Sequence, residues 1–175
     1  MDLKIRFPTL ASSFQTNSKL FLSGGMKRRG KLSYLFSIDY EGRRVWLEPM
    51  RSRRFHHSLC GRPSLLIAVG GLNSNVERIP LCEQFFVKRN KWNELPPLCV
   101  ARESPGSVLL QSLRAYCFCG DHRGSAASLE YLEMSIHETR WKTMKLDQIE
   151  SQSCSSLVGV EYEKNVVVFG GKRGE

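Results

Sequence analysis

Two thiols and an imidazole lie within six residues in the segment Cys117-Phe118-Cys119-Gly120-Asp121-His122, and such donors can bind zinc. Structural zinc sites take their ligands from two pairs, in which two to four residues usually separate the partners. Cys117 and Cys119 are closer than that, and no second pair occurs, since Cys154 and His137 fall in other predicted elements. The sequence therefore predicts no metal site and no cofactor.

The sequence contains no pattern that is typical of a nucleophilic enzyme or of a phosphate-binding loop. A Gly-x-Ser-x-Gly motif is absent, and the segment Ser104–Ser107 lacks the strand-to-helix setting of such a nucleophile. The segment Gly170–Gly174 resembles a phosphate-binding loop only superficially, because no helix is predicted after it. The tyrosines, histidines and cysteines do not follow the spacing of a copper site. We therefore predict a non-catalytic protein.

The formal net charge is +9, and much of it lies in two basic segments, Met26–Lys31 and Arg51–Arg54. A surplus of lysine and arginine favours acidic partners such as nucleic acid, an anionic membrane or an acidic peptide. The same surplus also keeps a protein soluble without specifying any ligand, and we expect this simpler role for most of it. Both interpretations remain open on the sequence alone.

The composition is that of one globular domain, with 175 residues of which 41% are apolar and 25% charged. The longest apolar runs have five to seven residues, too few for a transmembrane helix. Residues 1–8 lack the basic-then-apolar layout of a secretory signal, and the six cysteines follow no disulfide spacing. We therefore expect a cytoplasmic protein without a membrane partner, whose cysteines act as small buried apolar residues.

A longer pattern organises the whole chain, because an apolar run that ends in a Gly pair occurs four times. The pairs are Gly24-Gly25, Gly70-Gly71, Gly120-Asp121 (with one Gly replaced) and Gly170-Gly171, at steps of 46, 50 and 50 residues. A tryptophan follows the first three pairs at 21, 21 and 20 residues, as Trp46, Trp92 and Trp141. Such runs are typical of buried strands, Gly pairs permit turns with positive φ, and each Trp is predicted to pack against a neighbouring unit.

These motifs and their period resemble the kelch repeat, in which an apolar strand, a Gly pair and a Trp strand are followed by a Pro-apolar pair. The Pro-apolar pair occurs in Trp46–Met50 and Trp92–Leu98 but is missing from Trp141–Leu146. The resemblance covers about residues 12–171. It implies an all-β, partial kelch-type β-propeller over 1–175, with about three blades and the first strands of a fourth. The predicted units are residues 12–50, 53–98, 104–146 and 154–175.

The predicted strands place each motif within its unit. One strand, Leu3–Phe7, precedes the first unit, which contains Lys19–Ser23, Tyr34–Tyr40 and Val45–Leu47. The second unit contains Phe55–Cys60, Ser64–Val69, Glu83–Lys88 and Lys91–Leu95, and the third contains Val108–Gln111, Ala115–Cys119, Leu129–Ile136 and Arg140–Met144. The fourth contains Leu157–Tyr162 and Asn165–Phe169. Propellers have four to eight blades, so this set does not close a ring. The alternatives are a fragment of a longer kelch protein, a ring completed by self-association or by a partner, and a small stable arc.

The resemblance also implies a binding site, because kelch proteins often carry an arginine after the Pro-apolar pair that points into the central opening and helps to bind peptides. Arg54 and Arg102 match this position, whereas the third unit has Glu150 there. With His56, His57 and Ser104 they are predicted to form a peptide-binding rim. The alternative is that each arginine pairs with a backbone carbonyl or an acid of the next blade.

The function that the resemblance implies is non-catalytic recognition of another protein or peptide, or a scaffold role, and an acidic partner is the class that the net charge favours. The alternative function is binding of nucleic acid or another anionic surface through the basic loops, and we expect nucleic acid to be the less favoured partner.

Overall fold

The structure, a computed structural model, describes residues 9–27, 30–120, 128–134, 139–144, 154–163 and 165–173. Within these residues the regular structure consists of antiparallel strands and one turn of 3-10 helix, Val87–Arg89. The prediction of an all-β fold is therefore confirmed. No helix in this part of the chain is long and apolar enough to span a membrane. The predicted strand Leu3–Phe7 lies outside the described residues.

The first sheet is built from the N-terminal third of the chain. The strands there are Ser12–Gln15 (β1), Lys19–Ser23 (β2), Met26–Lys27 (β3), Gly30–Lys31 (β4), Leu35–Asp39 (β5) and Arg44–Leu47 (β6). Strands β1, β2, β5 and β6 form a four-stranded sheet in that order, and β3 and β4 form a small separate hairpin. The chain thus folds back on itself at each step, which suits the short polar turns between its apolar runs.

Two further four-stranded sheets and one hairpin follow in chain order. The second sheet contains Ser58–Arg62 (β7), Leu65–Val69 (β8), Cys82–Phe86 (β9) and Lys91–Leu95 (β10), and the third contains Gly106–Leu109 (β11), Arg114–Phe118 (β12), Leu129–Glu133 (β13) and Lys142–Met144 (β14). The hairpin pairs Cys154–Tyr162 (β15) with Asn165–Arg173 (β16). In these two sheets and in the hairpin, neighbouring strands are consecutive along the chain, so contacts within each are local.

The sheets stack face to face, because each presents apolar side chains on both faces of its strands. The first and second sheets share a core that includes Phe21, Leu35, Leu66, Phe85 and Trp92. The second and third share one that includes Ile67, Val69, Ala115, Leu132 and Trp141. The third sheet packs Val108 and Phe118 against Val166 of the β15–β16 hairpin. The first strands β1, β7, β11 and β15 lie next to one another in this order.

Most predicted strands agree with the structure to within one to three residues, and Lys19–Ser23 and Lys91–Leu95 agree at both ends. The predicted start at Phe55 is wrong, because His56 has a left-handed φ of 52° and β7 begins only at Ser58. The sequence pattern missed β1, which is short and mostly polar. It also missed β3 and β4, which have two residues each and lie within the basic segment.

The third Gly pair is displaced by one residue from its predicted position. Gly24 and Gly25 have φ of 61° and 93°, Gly70 and Gly71 have 62° and 99°, and Cys119 and Gly120 have 54° and 88°. Cys119, not Gly120, is therefore the counterpart of Gly70, and the third turn is Cys119-Gly120 instead of Gly120-Asp121. With this correction Trp141 follows the pair at 21 residues, as in the other two units.

The fourth Gly pair does not end a strand as predicted. Gly170 and Gly171 lie inside β16, which continues to Arg173, and Gly170 pairs with Leu157 of β15. Because the hairpin has no third strand among the described residues, nothing requires the chain to turn away at the Gly pair. Both strands consequently extend for nine residues, about twice the length of their counterparts.

The three tryptophans do not share one environment, which corrects the prediction that each packs against a neighbouring unit. Trp92 and Trp141 are 2% and 1% exposed, whereas Trp46 is 57% exposed. Trp92 pairs with Phe85, the fourth residue of β9, whereas Trp46 pairs with Phe36, the second residue of β5. A two-residue difference in register therefore moves Trp46 one row along its sheet, and Arg44 occupies the row of Trp92.

Candidate functional site

A cavity of about 910 Å³ lies where the first strands of the sheets meet. Its walls are residues of β1, β7, β11 and β15 together with the short segments that precede β1, β7 and β11. Each of these strands is at the edge of its sheet. One row of backbone N–H and C=O groups on each strand is thus not used by its own sheet and is available to other groups.

The polar lining of this cavity consists mainly of small hydroxyl groups. Five serines contribute to it, Ser12, Ser13, Ser58, Ser104 and Ser107. The Ser58 and Ser107 hydroxyl oxygens are 2.6 Å apart and join β7 to β11. Among the described lining residues Glu161 is the sole carboxylate, and none is Lys or Arg. The cavity wall therefore carries none of the arginine and lysine surplus of the chain.

Three residues with left-handed backbone, Leu10, His56 and Ser104, line the cavity. Their φ values are 59°, 52° and 49°, a conformation that costs about 1–2 kcal/mol in a residue other than glycine. The His56 N–H donates to the Leu10 carbonyl at 3.3 Å, and the Ser104 N–H donates to the His56 carbonyl at 2.7 Å. These bonds between neighbouring units hold the strained conformation and direct the His56 and Ser104 side chains to the cavity.

His56 and Ser104 form a small polar cluster with Glu103, which is not itself a lining residue. The Ser104 hydroxyl lies 2.7 Å from His56 Nδ1, and a Glu103 carboxylate oxygen lies 3.6 Å from the same nitrogen. In a serine relay the hydroxyl and the carboxylate must bind different ring nitrogens, so that the imidazole can pass a proton between them. This cluster lacks that arrangement and is better suited to donating and accepting hydrogen bonds with a bound ligand.

Arg54 and Arg102 do not lie at the rim of the cavity, which corrects the predicted position. Both side chains are fully buried. Arg54 binds Glu83 at 2.5 Å and donates to the Leu81 carbonyl at 2.7 Å. Arg102 binds Glu130 at 2.9 Å and donates to the Cys119 carbonyl at 2.6 Å. The geometry matches the alternative interpretation, in which each arginine pairs with an acid and carbonyls of the sheet that follows it.

Glu83 and Glu130 were not identified from the sequence, although each organises a linker between sheets. The Glu83 carboxylate accepts from the Arg51 and Ser52 N–H groups at 2.9 and 3.3 Å. Glu130 accepts in the same way from the N–H groups of Cys99 and Val100, at 2.5 and 3.3 Å. The one sign of this role in the sequence is that each glutamate is the second residue of a strand that is otherwise largely apolar.

His57 is nearly completely buried between the first two sheets. Its Nε2 lies 2.7 Å from the Ser23 hydroxyl, and its Nδ1 has no hydrogen-bond partner among the described residues. Burial, together with the nearby Arg54 and His56, lowers the pKa of His57 to about 3. The ring is therefore neutral near pH 7, and its fixed position makes it part of the packing and not of a flexible rim.

Cys117 and Cys119, which were rejected as zinc ligands from the sequence alone, are separated by the end of a strand. Cys117 lies on β12 and is fully buried, whereas Cys119 follows the strand in the left-handed turn. Burial raises the pKa of the Cys117 thiol well above its usual value and the pKa values of Cys60 and Cys82 to about 12. These thiols remain protonated, which disfavours metal binding. Asp121 and His122 lie outside the described residues.

Comparison with known proteins identifies a similar fold. No family model and no curated protein matches this chain. Among solved structures, the one titled "Structure of YjhT" superposes with a TM-score of 0.75 over 93% of this chain, at 10% sequence identity. The chain spans 58% of the length of that structure. At this identity the similarity concerns the fold alone, so the comparisons establish an all-β fold like that of YjhT and no family membership.

Proposed function

We propose that this chain is a partial kelch-type β-propeller whose function is non-catalytic recognition of another protein. The proposal is supported by three sheets of the same strand order, each with a turn of two positive-φ residues at the end of its second strand. A buried Arg–Glu pair recurs between the first and second sheets and between the second and third. Such repetition is typical of architectures that stack equivalent units around an axis.

The observation that carries the proposed function is the cavity where the four first strands meet. Four edge strands offer backbone groups to it, and a ligand in extended conformation can use these groups whatever its sequence. The serine hydroxyls add short, adaptable donors and acceptors. A volume of about 910 Å³ is enough for several residues of a peptide or for a loop of a partner.

The lining argues for a partner segment without acidic side chains, in contrast to the acidic partner that the net charge favours. The described lining residues include the carboxylate of Glu161 and no Lys or Arg, and the buried His57 ring is neutral. An acidic peptide would lose its hydration there without gaining a cationic partner. We therefore expect neutral or basic segments to bind best.

Selection from a random peptide library displayed on phage tests this function. Val160 lines the cavity and is 41% exposed, so Val160→Trp should fill part of the space without unfolding the chain. Leu81 is 43% exposed and does not line the cavity, which makes Leu81→Trp a matched control. Peptides enriched on the wild-type chain should lose binding to Val160→Trp, retain it on Leu81→Trp, and contain few Asp or Glu residues.

Two results would contradict the proposal. One is the enrichment of the same peptides on wild type and on Val160→Trp, which would place recognition outside the cavity. The other is the absence of any enriched peptide while the chain remains folded by circular dichroism, which would remove peptide recognition as the function.

A further inference from the structure

The outer face of the first sheet, which points away from the second sheet, has an unusual composition. It consists of Ser13, Gln15, Leu20, Leu22, Phe36, Ile38, Arg44 and Trp46, as the strand register requires. None of these residues is acidic. Trp46 is 57% exposed, and Tyr34 beside it is 41% exposed. This face therefore offers open aromatic rings to the solvent.

Two cations lie over these rings. The Arg44 guanidinium is 5.0 Å from the centre of the Phe36 ring and 5.6 Å from that of Trp46. The Lys27 ammonium is 5.9 Å from the centre of the Tyr34 ring, which itself meets Trp46 edge to face at 5.4 Å. Among the described residues, neither Arg44 nor Lys27 forms an ion pair, and both lie at these exposed rings.

The outer face differs from the two faces that receive a preceding sheet. On those faces Glu83 and Glu130 bind the linker that arrives from the sheet before. Phe36 is the second residue of β5, as Glu83 is of β9, and it holds the equivalent register position in the first sheet. Arg44 likewise occupies the row of Trp92, whose indole donates to the Glu48 carbonyl of the preceding sheet at 2.8 Å. The outer face thus lacks both groups that seat one sheet on another.

We propose that the outer face of the first sheet binds single-stranded nucleic acid. Exposed aromatic rings stack with unpaired bases of any sequence, and adjacent Lys and Arg neutralise the phosphates that join them. Tyr34 and Trp46 supply the rings, and Arg44 and Lys27 supply the charges within reach of the same rings. An acidic, aromatic peptide is the competing ligand, but it presents fewer stackable rings for each negative charge.

Tryptophan fluorescence gives a direct test with the purified chain. Trp46 is exposed while Trp92 and Trp141 are buried, so quenching by an added ligand reports on the outer face. An oligothymidylate of about 12 nucleotides should quench the emission, and its affinity should fall steeply between about 50 and about 200 mM salt. Fluorescence anisotropy of the labelled oligonucleotide measures the affinity independently of tryptophan.

The variants Trp46→Ala and Arg44→Ala should each weaken binding about ten-fold by anisotropy, because each removes a stacking or charge contact. Arg89→Ala is the matched control, since Arg89 lies 5.7 Å from the Phe86 ring on a different sheet and should leave the affinity unchanged. All three residues are on the surface, so near-native circular dichroism is expected in each variant.

Three outcomes would overturn the proposal: no binding of the oligonucleotide at low salt, an equal loss in Arg89→Ala, or equal affinity for a random Glu-Tyr copolymer, which would identify the face as a site for acidic peptides. The proposal does not depend on the cavity. Val160→Trp should bind the oligonucleotide as the wild type does, so failure of peptide recognition and failure of nucleic-acid binding can be distinguished.

Discussion

The two buried arginines show how single residues join one sheet to the next. Arg54 and Arg102 each connect a linker to a glutamate in the following sheet, and neither is exposed to solvent. A buried charge that loses its partner keeps its desolvation cost without the compensating attraction. These side chains therefore act on stability and not on ligand binding.

Arg102→Met should lower the free energy of unfolding by about 3–5 kcal/mol, because it leaves the Glu130 carboxylate buried without its cation. Urea denaturation followed by circular dichroism measures the change. The control is Arg43→Met, which removes an ion pair to Asp39. The Arg43 side chain is 71% exposed, so its loss should leave the stability nearly unchanged. Similar losses in the two variants would mean that Arg102 does not bear a buried charge.

His57 should make the fold sensitive to acid. Its pKa is about 3 in the folded chain and 6.5 as a free side chain, so the unfolded state binds the proton more readily. The contribution of His57 to stability is complete above pH 6.5 and is lost as the pH falls toward 3, by about 1.4 kcal/mol per pH unit. Stability measured at about pH 7 and about pH 5 should differ by about 2 kcal/mol more in the wild type than in His57→Gln. An equal difference in both would remove this role.

At the residue level, the sequence predicted that His56 and Ser104 contribute to one binding rim. The structure places the Ser104 hydroxyl 2.7 Å from His56 Nδ1 at the cavity. The sequence could not place Arg54 and Arg102, because an arginine in a loop is compatible with both a rim and a buried pair. The decision depends on Glu83 and Glu130, which are 29 and 28 residues away. No local pattern connects residues at that separation.

At the level of the elements, strand register decides which row of its sheet a tryptophan occupies. Burial of Trp92 also requires the preceding sheet that packs on its face, whereas no described sheet packs on the corresponding face of the first sheet. Trp92 and Trp46 are equally far from their Gly pairs, but a difference of two residues in the register of the third and fourth strands places them in different rows. The spacing along the sequence does not reveal this, because it counts the residues of loops and strands alike. The Gly pairs of the first two units were predicted correctly, since positive φ restricts which residues fit, whereas the third turn is Cys119-Gly120 and the fourth pair lies inside β16.

Trp92→Ala and Trp46→Ala should therefore differ in their effect on folding. Trp92 is 2% exposed and donates a hydrogen bond to the preceding sheet, so its loss should cost about 3–5 kcal/mol. Trp46 is 57% exposed, so its loss should cost less than about 1 kcal/mol. Thermal and urea unfolding of the two variants compare them directly. A cost at Trp46 equal to that at Trp92 would show that the outer face is covered in solution.

At the level of the whole molecule, the β15–β16 hairpin leaves apolar side chains in contact with solvent. Val158 and Phe169, which pair across the hairpin, are 61% and 55% exposed. Exposed apolar strands favour association. Sedimentation velocity should show a concentration-dependent increase in mass for the wild type, which the double variant Val158→Lys with Phe169→Lys should reduce. A wild-type chain that stays monomeric throughout would refute this expectation.

The repeat made the strand order of each sheet predictable from the sequence, since each step of the pattern is local. The stacking of the sheets was only partly predictable, because the residues that seat one sheet on another lie in different units. The cavity was not predicted as such, since its walls come from four separate strands that contain many small polar residues. Their shared property is their position at the sheet edges, which only the assembled fold defines.

Between neighbouring sheets, a glutamate of the later sheet binds the linker that arrives from the earlier sheet. This asymmetry restricts the positions at which gene duplication can add a unit. The acceptor belongs to the later unit, so a copied unit that carries its own glutamate can be added after an existing one and will be anchored at once. A copy added before the first sheet would encounter Phe36, which offers no acceptor for its linker. Lengthening of this array by duplication is therefore expected to proceed toward the C-terminus, and each viable insertion should bring an acid at that position.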